Sequence, residues 1–137
     1  MKSICVIDGQ GGGIGSAAIK MLKEQFNETI LIIALGTNAI ATSQMLKAKA
    51  NRGATGENAI AQTVKQVDVI IGPIGIILAH SMMGEVTPGM AEAIAASPAK
   101  KLLIPLTQDN IKIVGISSVP LPRLIEMLIQ ENRNDFL

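Results

Sequence analysis

Hydrophobic positions along the chain switch between two periods. Ser3 to Asp8 is a short, continuously apolar run that predicts a buried strand; after it, Ile14, Ala17, Ala18, Met21, Leu22 and Phe26 recur at helical spacing and predict a helix from about Gly13 to Phe26. Thr29 to Leu35 is a β-branched run that reads as a second buried strand. Gly36-Thr37-Asn38 turns the chain, with Thr37 or Asn38 suited to cap a helix that runs to about Ala50. That helix is alanine-rich with no clean polar face, which predicts burial on more than one side. Asn51 to Gly56 reads as a loop, Glu57 to Gln66 as a short helix, and Val67 to Ile71 as the third strand, stopped at Gly72-Pro73-Ile74-Gly75.

The second half is predicted on the same grounds. Ile76 to about Met83 reads as helical, and Thr87-Pro88 opens a helix through about Ala96, with threonine capping and proline in the first turn. Lys101 to Leu106 is the predicted fourth strand and Ile111 to Ile116 the fifth. Thr107 to Asn110 is too short for a parallel crossover, so these two strands are expected to form an antiparallel hairpin. Leu121, Leu124, Ile125, Leu128 and Ile129 mark a closing helix, and Glu131 to Leu137 is expected to fray. Alternating strands and helices imply a three-layer α/β Rossmann-like open sheet, mostly parallel, in one domain. With right-handed crossovers the predicted order is 3-2-1-4-5, strand 5 lying antiparallel at the edge.

Between the first strand and the first helix lie five glycines, in Asp8-Gly9-Gln10-Gly11-Gly12-Gly13-Ile14-Gly15. A glycine-rich turn entering a helix brings bare backbone N–H groups to the positive end of the helix dipole, and phosphate binds there. The predicted sheet order reverses beside the first strand, and open sheets bind ligands at that point, outside the carboxyl ends of the strands. Two arguments therefore select one crevice, formed by Asp8, the loop Gly9 to Gly15 with Gln10 and Ile14, Gly36-Thr37-Asn38, Gly72-Pro73-Ile74-Gly75 and Thr107-Gln108. The expected ligand is a nucleotide or another small phosphorylated molecule.

Composition narrows the partners. Of 137 residues, 48% are hydrophobic and 17% charged, with no tryptophan, no tyrosine and two phenylalanines, so the core must be aliphatic and methionine-rich. A net charge of +1, without a basic stripe or stacking aromatics, argues against nucleic acid. No apolar run is long enough to span a bilayer and no signal segment is evident, so a cytoplasmic location is expected. The single cysteine, Cys5, falls in the first strand and is expected to be structural. One histidine and no cysteine pair leave no zinc-ligand pattern, and no metal is predicted.

Titratable groups are scarce. Asp8, His80 and Glu85 are the candidates for catalysis. An aspartate at a strand end more commonly caps its own turn, and a lone histidine on an apolar helix is more commonly a buried or interface residue. Glu57 begins a helix, where the dipole alone favours it, which leaves Glu85 as the better acid or base. A site for NAD has an acidic residue at the end of the second strand to hold the ribose hydroxyls. Ala34-Leu35-Gly36-Thr37-Asn38 has none, so NADP or a mononucleotide is favoured over NAD, with Thr37 and Asn38 placed to donate to a 2′-phosphate.

Gly9, Gly13 and Gly15 in G-x-x-x-G-x-G spacing resemble the nucleotide loop of short-chain dehydrogenases, whose catalytic tyrosine has no counterpart here. That excludes their activity in its usual form. Over nearly its full length the chain resembles a family of short bacterial proteins known as a domain of unknown function. The resemblance rests on the glycine loop, Ala34-Leu35-Gly36-Thr37-Asn38-Ala39, Gly53-Ala54-Thr55-Gly56-Glu57-Asn58-Ala59 and Ile70-Ile71-Gly72-Pro73-Ile74-Gly75. It implies a Rossmann-like protein and brings no activity. Gly36-Thr37 followed by Asp68-Val69 also resembles methylglyoxal synthase, whose catalytic aspartates have no clear counterparts. Three readings stand: a phosphate- or nucleotide-binding sensor or subunit, a small enzyme using NADP or a phosphorylated metabolite, and an assembly protein. Low charge and helices without wide polar faces predict a homodimer or higher homo-oligomer.

Overall fold

The first strand of the chain, β1 (Lys2–Asp8), becomes the middle of the sheet. The computed structural model describes residues 1–107 and 109–137, and over them five strands pair in the order β3-β2-β1-β4-β5, every pair parallel. The others are β2 (Ile30–Gly36), β3 (Arg52–Thr55), β4 (Val69–Pro73) and β5 (Lys100–Ile104). Side chains of β1 alternate between two cores. Ile4 and Val6 pack with Ile19, Leu22 and Phe26 of α1 (Gly13–Phe26), Ala41 and Met45 of α2 (Ala39–Lys47), and Ile125 and Ile129 of α5 (Leu121–Glu131). Cys5 and Ile7 pack on the opposite face with Ile60 of α3 (Glu57–Thr63) and Met90 and Ile94 of α4 (Pro88–Ala96). A central strand covered on both faces is apolar at every position, hence the unbroken hydrophobic run.

The α/β class and the helices α1, α4 and α5 follow the pattern closely. Asn38 caps α2, its side chain accepting from the N–H of Ala41 at 2.9 Å, and Thr87 caps α4 through Met90 N–H at 3.1 Å. Cys5 is fully buried, and burial pushes its thiol far above the usual range, as a structural cysteine requires. Among the described residues no helix is long and apolar enough to cross a membrane.

Five expectations are corrected. The order of the digits is as predicted, but the strands behind them differ. Arg52–Thr55, expected to be loop, is the edge strand β3, while the run expected to be third in that position is β4, on the other side of β1. All four residues of β3 are exposed; backbone pairing with Ile33 to Gly36 holds it, so no hydrophobic signal marks it. The antiparallel fifth strand is absent. Ile111 to Ile116 is irregular, with Gly115 at φ +91° and Ile111, Val114 and Ile116 exposed. Strand propensity needs a pleated, half-buried surface, and none is offered there.

The helix expected from Ile76 is a single 3₁₀ turn (Ile74–Ile77) followed by a loop closed on itself by His80 N–H to Val86 O at 2.7 Å and Val86 N–H to Ser81 O at 3.2 Å. Helix α2 is buried on one face only, with Ile40 and Leu46 turned outward. The tail does not fray: residues Arg133–Phe136 form a 3₁₀ turn and Phe136 is 1% exposed. Its ring lies 5.2 Å from that of Phe26, and the Arg133 guanidinium stands over the Phe26 ring, 5.1 Å from its centre.

Candidate functional site

Strand β1 pairs with β2 on one side and β4 on the other, so the direction of winding reverses at its carboxyl end. Asp8 is the last residue there and is 4% exposed. Its carboxylate folds back over the glycine loop, Oδ1 accepting from Gly9 N–H at 2.8 Å and Oδ2 from Gly15 N–H at 2.7 Å. Asp8 therefore caps the first turn of α1, the structural role expected of it. Burial pushes its carboxyl above the usual carboxylate range; the N–H groups of Gly15, Gly9 and Ile14 oppose that shift, and the charge of Glu85 adds to it.

Glu85 arrives from the loop after β4. Its Oε1 accepts from Gln10 N–H at 2.8 Å, Thr37 Oγ1–H at 2.7 Å and Asn38 Nδ2–H at 2.8 Å. Asn38 also donates to Gln10 O at 3.0 Å, which ties the glycine loop to the end of β2. Partial burial alone would raise Glu85, but these three donors outweigh it and hold the carboxyl below its usual range. The pair is split, Asp8 upward and Glu85 downward.

The loop glycines have different reasons for being glycine. Gly12 has φ +73°, and a Cβ there would lie 2.9 Å from Ala41 Cα. A Cβ on Gly9 would strike Met82 Sδ at 2.6 Å and Glu85 Oε1 at 2.9 Å, and one on Gly15 would strike Met45 Sδ at 2.6 Å. Close packing accounts for these three. A Cβ on Gly11 or Gly13 would meet no protein atom within 4 Å. Neither residue's N–H donates to an acceptor among the described residues. The part of the loop at the amino end of α1 is open.

Beside it is a cleft of about 450 Å³ that receives Asp8, Gln10, Ile14 and Pro73. It also receives Gly75, Met82, Met83, Leu106, Thr107 and Asp109. Gly36, Thr37, Asn38 and Glu85, to which Thr37 and Asn38 donate, are not on the cleft wall. Gly72 is sealed in the sheet, where a Cβ would collide with the Ile7 carbonyl, and Ile74 faces a second, more apolar cavity beneath residues 113–117. Gln108 lies outside the described residues. His80 is exposed with φ +72°, neither in a helix nor buried, and does not line the cleft. Met82, Met83, Leu106 and Asp109 reach the cleft from irregular segments, where the pattern predicts a helix to Met83 and a strand to Leu106. Glu85 lies in a loop, as expected; its attachment to Thr37 and Asn38 depends on a fold-back that spacing does not encode.

A family model described as a domain of unknown function (DUF3842) matches residues 3–136. The chain belongs to this family. No curated protein matches it. Among solved structures, the dodecameric FMN-dependent Ubix-like decarboxylase from Escherichia coli O157:H7 is similar to 96% of this chain and 75% of its own, at 15% identity and a TM-score of 0.44. That likeness assigns nothing to the cleft.

Proposed function

We propose that this DUF3842 protein binds a small phosphorylated ligand, a nucleotide or a sugar phosphate, over the loop from Gly11 to Gly13, and acts as a sensor or binding subunit. One observation carries the reading. Gly11 and Gly13 are the loop glycines that no internal contact explains, and they sit at the amino end of the 14-residue helix α1. Glycine costs stability in such a place, and bare N–H groups at a helix start suit a phosphate. The adjoining cleft, with Ile14, Pro73, Met82 and Met83 on its walls, has room for the apolar part of the ligand. Among the described residues no basic side chain lines it, so backbone donors and the helix dipole would hold the anion.

A second reading, a small enzyme acting on the same ligand, draws on the opposed shifts of Asp8 and Glu85, because carboxyls driven apart can serve as acid and base. The need for an acceptor at Gly9 and Gly15 makes Asp8 a capping residue first.

Replacing Gly13 with Val puts a side chain into open space, so the variant should fold as the parent does. Titration calorimetry with AMP, ATP and NAD should show affinity falling by about 10- to 100-fold, the worth of one or two hydrogen bonds to a charged group. Unchanged affinity in the variant would move the site elsewhere.

Self-association belongs to the same proposal. Ile40, Leu46 and Met83 are 67%, 41% and 95% exposed on α2 and the loop after β4, and pairing with a second copy would remove them from water at about 25 cal/mol per Å². Sedimentation equilibrium at micromolar concentration should give a dimer or larger; a persistent monomer refutes that part.

A further inference from the structure

The end of β2 lacks an acidic residue in sequence but not in space. Glu85, forty-nine positions beyond Gly36, lays its carboxylate against Thr37 and Asn38, the two residues that follow β2. In open α/β sheets that bind dinucleotides, a carboxylate at this place accepts the hydroxyls of the ribose, while the phosphates lie on the glycine loop. The premise that favoured a 2′-phosphate, donors at Thr37 and Asn38 with no acid beside them, does not hold in the folded chain. Both donors are already turned onto Glu85.

The two oxygens of Glu85 are unequal. Oε1 takes all three donors, from Gln10, Thr37 and Asn38, and Oε2 takes none among the described residues. A carboxylate offers about four acceptor positions, so an oxygen left without donors is a ready acceptor that its partner oxygen holds in a fixed direction. The donors come from the glycine loop and from the turn after β2, so the orientation of Glu85 is locked to the same loop that carries Gly11 and Gly13. Two properties follow. A hydroxyl on the ligand can donate to Oε2 in a charge-assisted bond. A phosphate in its place would meet the charge of Glu85, with no basic side chain on the cleft wall among the described residues.

We propose that Glu85, bonded to the cleft-lining Gln10, sets specificity at the edge of the cleft by accepting a ligand hydroxyl at Oε2, which selects nucleotides and sugar phosphates with a free hydroxyl and rejects those phosphorylated there. This rests on the phosphate-binding reading of the glycine loop and adds the chemical class of the ligand. It reverses the cofactor preference: an unphosphorylated ribose is taken over a 2′-phosphorylated one, NAD over NADP.

The test compares matched probes on the intact protein by calorimetry: AMP against 2′-deoxy-AMP, and NAD against NADP. The expected result is affinity about tenfold or more lower for the deoxy compound and for the 2′-phosphorylated one, as loss of a charge-assisted bond or addition of a like charge predicts. Glu85→Gln keeps one carbonyl oxygen for the three donors and turns the second position into an N–H₂ donor. It should bring the members of each pair within about twofold of one another, NADP gaining most. Wild-type protein that binds both members of each pair equally overturns the role of Glu85, whether or not the variant folds. If those affinities still fall in Gly13→Val, the phosphate reading stands alone. No binding of any probe, at concentrations up to the millimolar range, overturns both.

Discussion

Replacing Phe136 with Ala should cost about 3–5 kcal/mol, the usual range for deleting a buried phenylalanine side chain. Phe136 is second from the end of the chain, 1% exposed, and closes the core between α1 and α5. Removing its ring leaves Phe26 without its aromatic neighbour at 5.2 Å and opens a cavity in the core that α1 and α5 share. For a domain of this size each kcal/mol corresponds to roughly 3 °C, so the thermal midpoint should fall by about 10–15 °C. Differential scanning calorimetry measures it. A midpoint within two or three degrees of the parent would mean that the last turn is detached in solution and that the tail frays after all.

Phe136 also shows where the pattern of the sequence stops being informative. Glu131 to Leu137 has two large apolar residues in seven, Phe136 and Leu137 side by side, which set no period, and only the position of Phe26 at the end of α1 gives Phe136 a partner. The elements that were legible bury a regular face. Helix α1 runs from Gly13 to Phe26 as its spacing predicts, because Ala18, Ile19, Leu22 and Phe26 must all reach one side of the sheet. Strand β3 is the opposite case, held by backbone pairing with β2 and exposed at all four positions. Missing it displaced Val67 to Ile71 across the sheet while leaving the reversal beside β1 in place, since that depends only on β1 being flanked on both sides. The crevice was therefore found with one strand missing. Within it, Asp8, Gln10, Ile14, Pro73, Gly75 and Thr107 were legible from the glycine loop and the strand ends. Glu85 as a donor-bound carboxylate was not, because four residues with positive φ in its loop, His80, Met82, Met83 and Gly84, set the fold-back. Only the glycine among them signals such a backbone in sequence.

Two adjacent glycines should respond to the same substitution in opposite directions. Gly12→Ala must hold a Cβ at φ +73°, which costs about 1–2 kcal/mol, and must push it against the Ala41 backbone at 2.9 Å. Backbone cannot rotate away as a side chain can, so α2 has to shift, and overpacking of this kind adds about 1–3 kcal/mol. Gly13→Ala meets nothing within 4 Å and stands in the first turn of α1, where narrowing the freedom of the unfolded chain should stabilise the fold by about 0.4–1 kcal/mol. Urea denaturation of the two variants beside the parent should place the midpoint of Gly12→Ala well below it and that of Gly13→Ala slightly above. If both lose stability alike, the loop is under a constraint that its contacts do not show. If they diverge as expected, glycine at position 12 serves the fold, whereas glycine at position 13 gives up stability that alanine would supply. A bare backbone kept against the interest of the fold is of use only to something outside it, and the open amino end of α1 is where that something would bind.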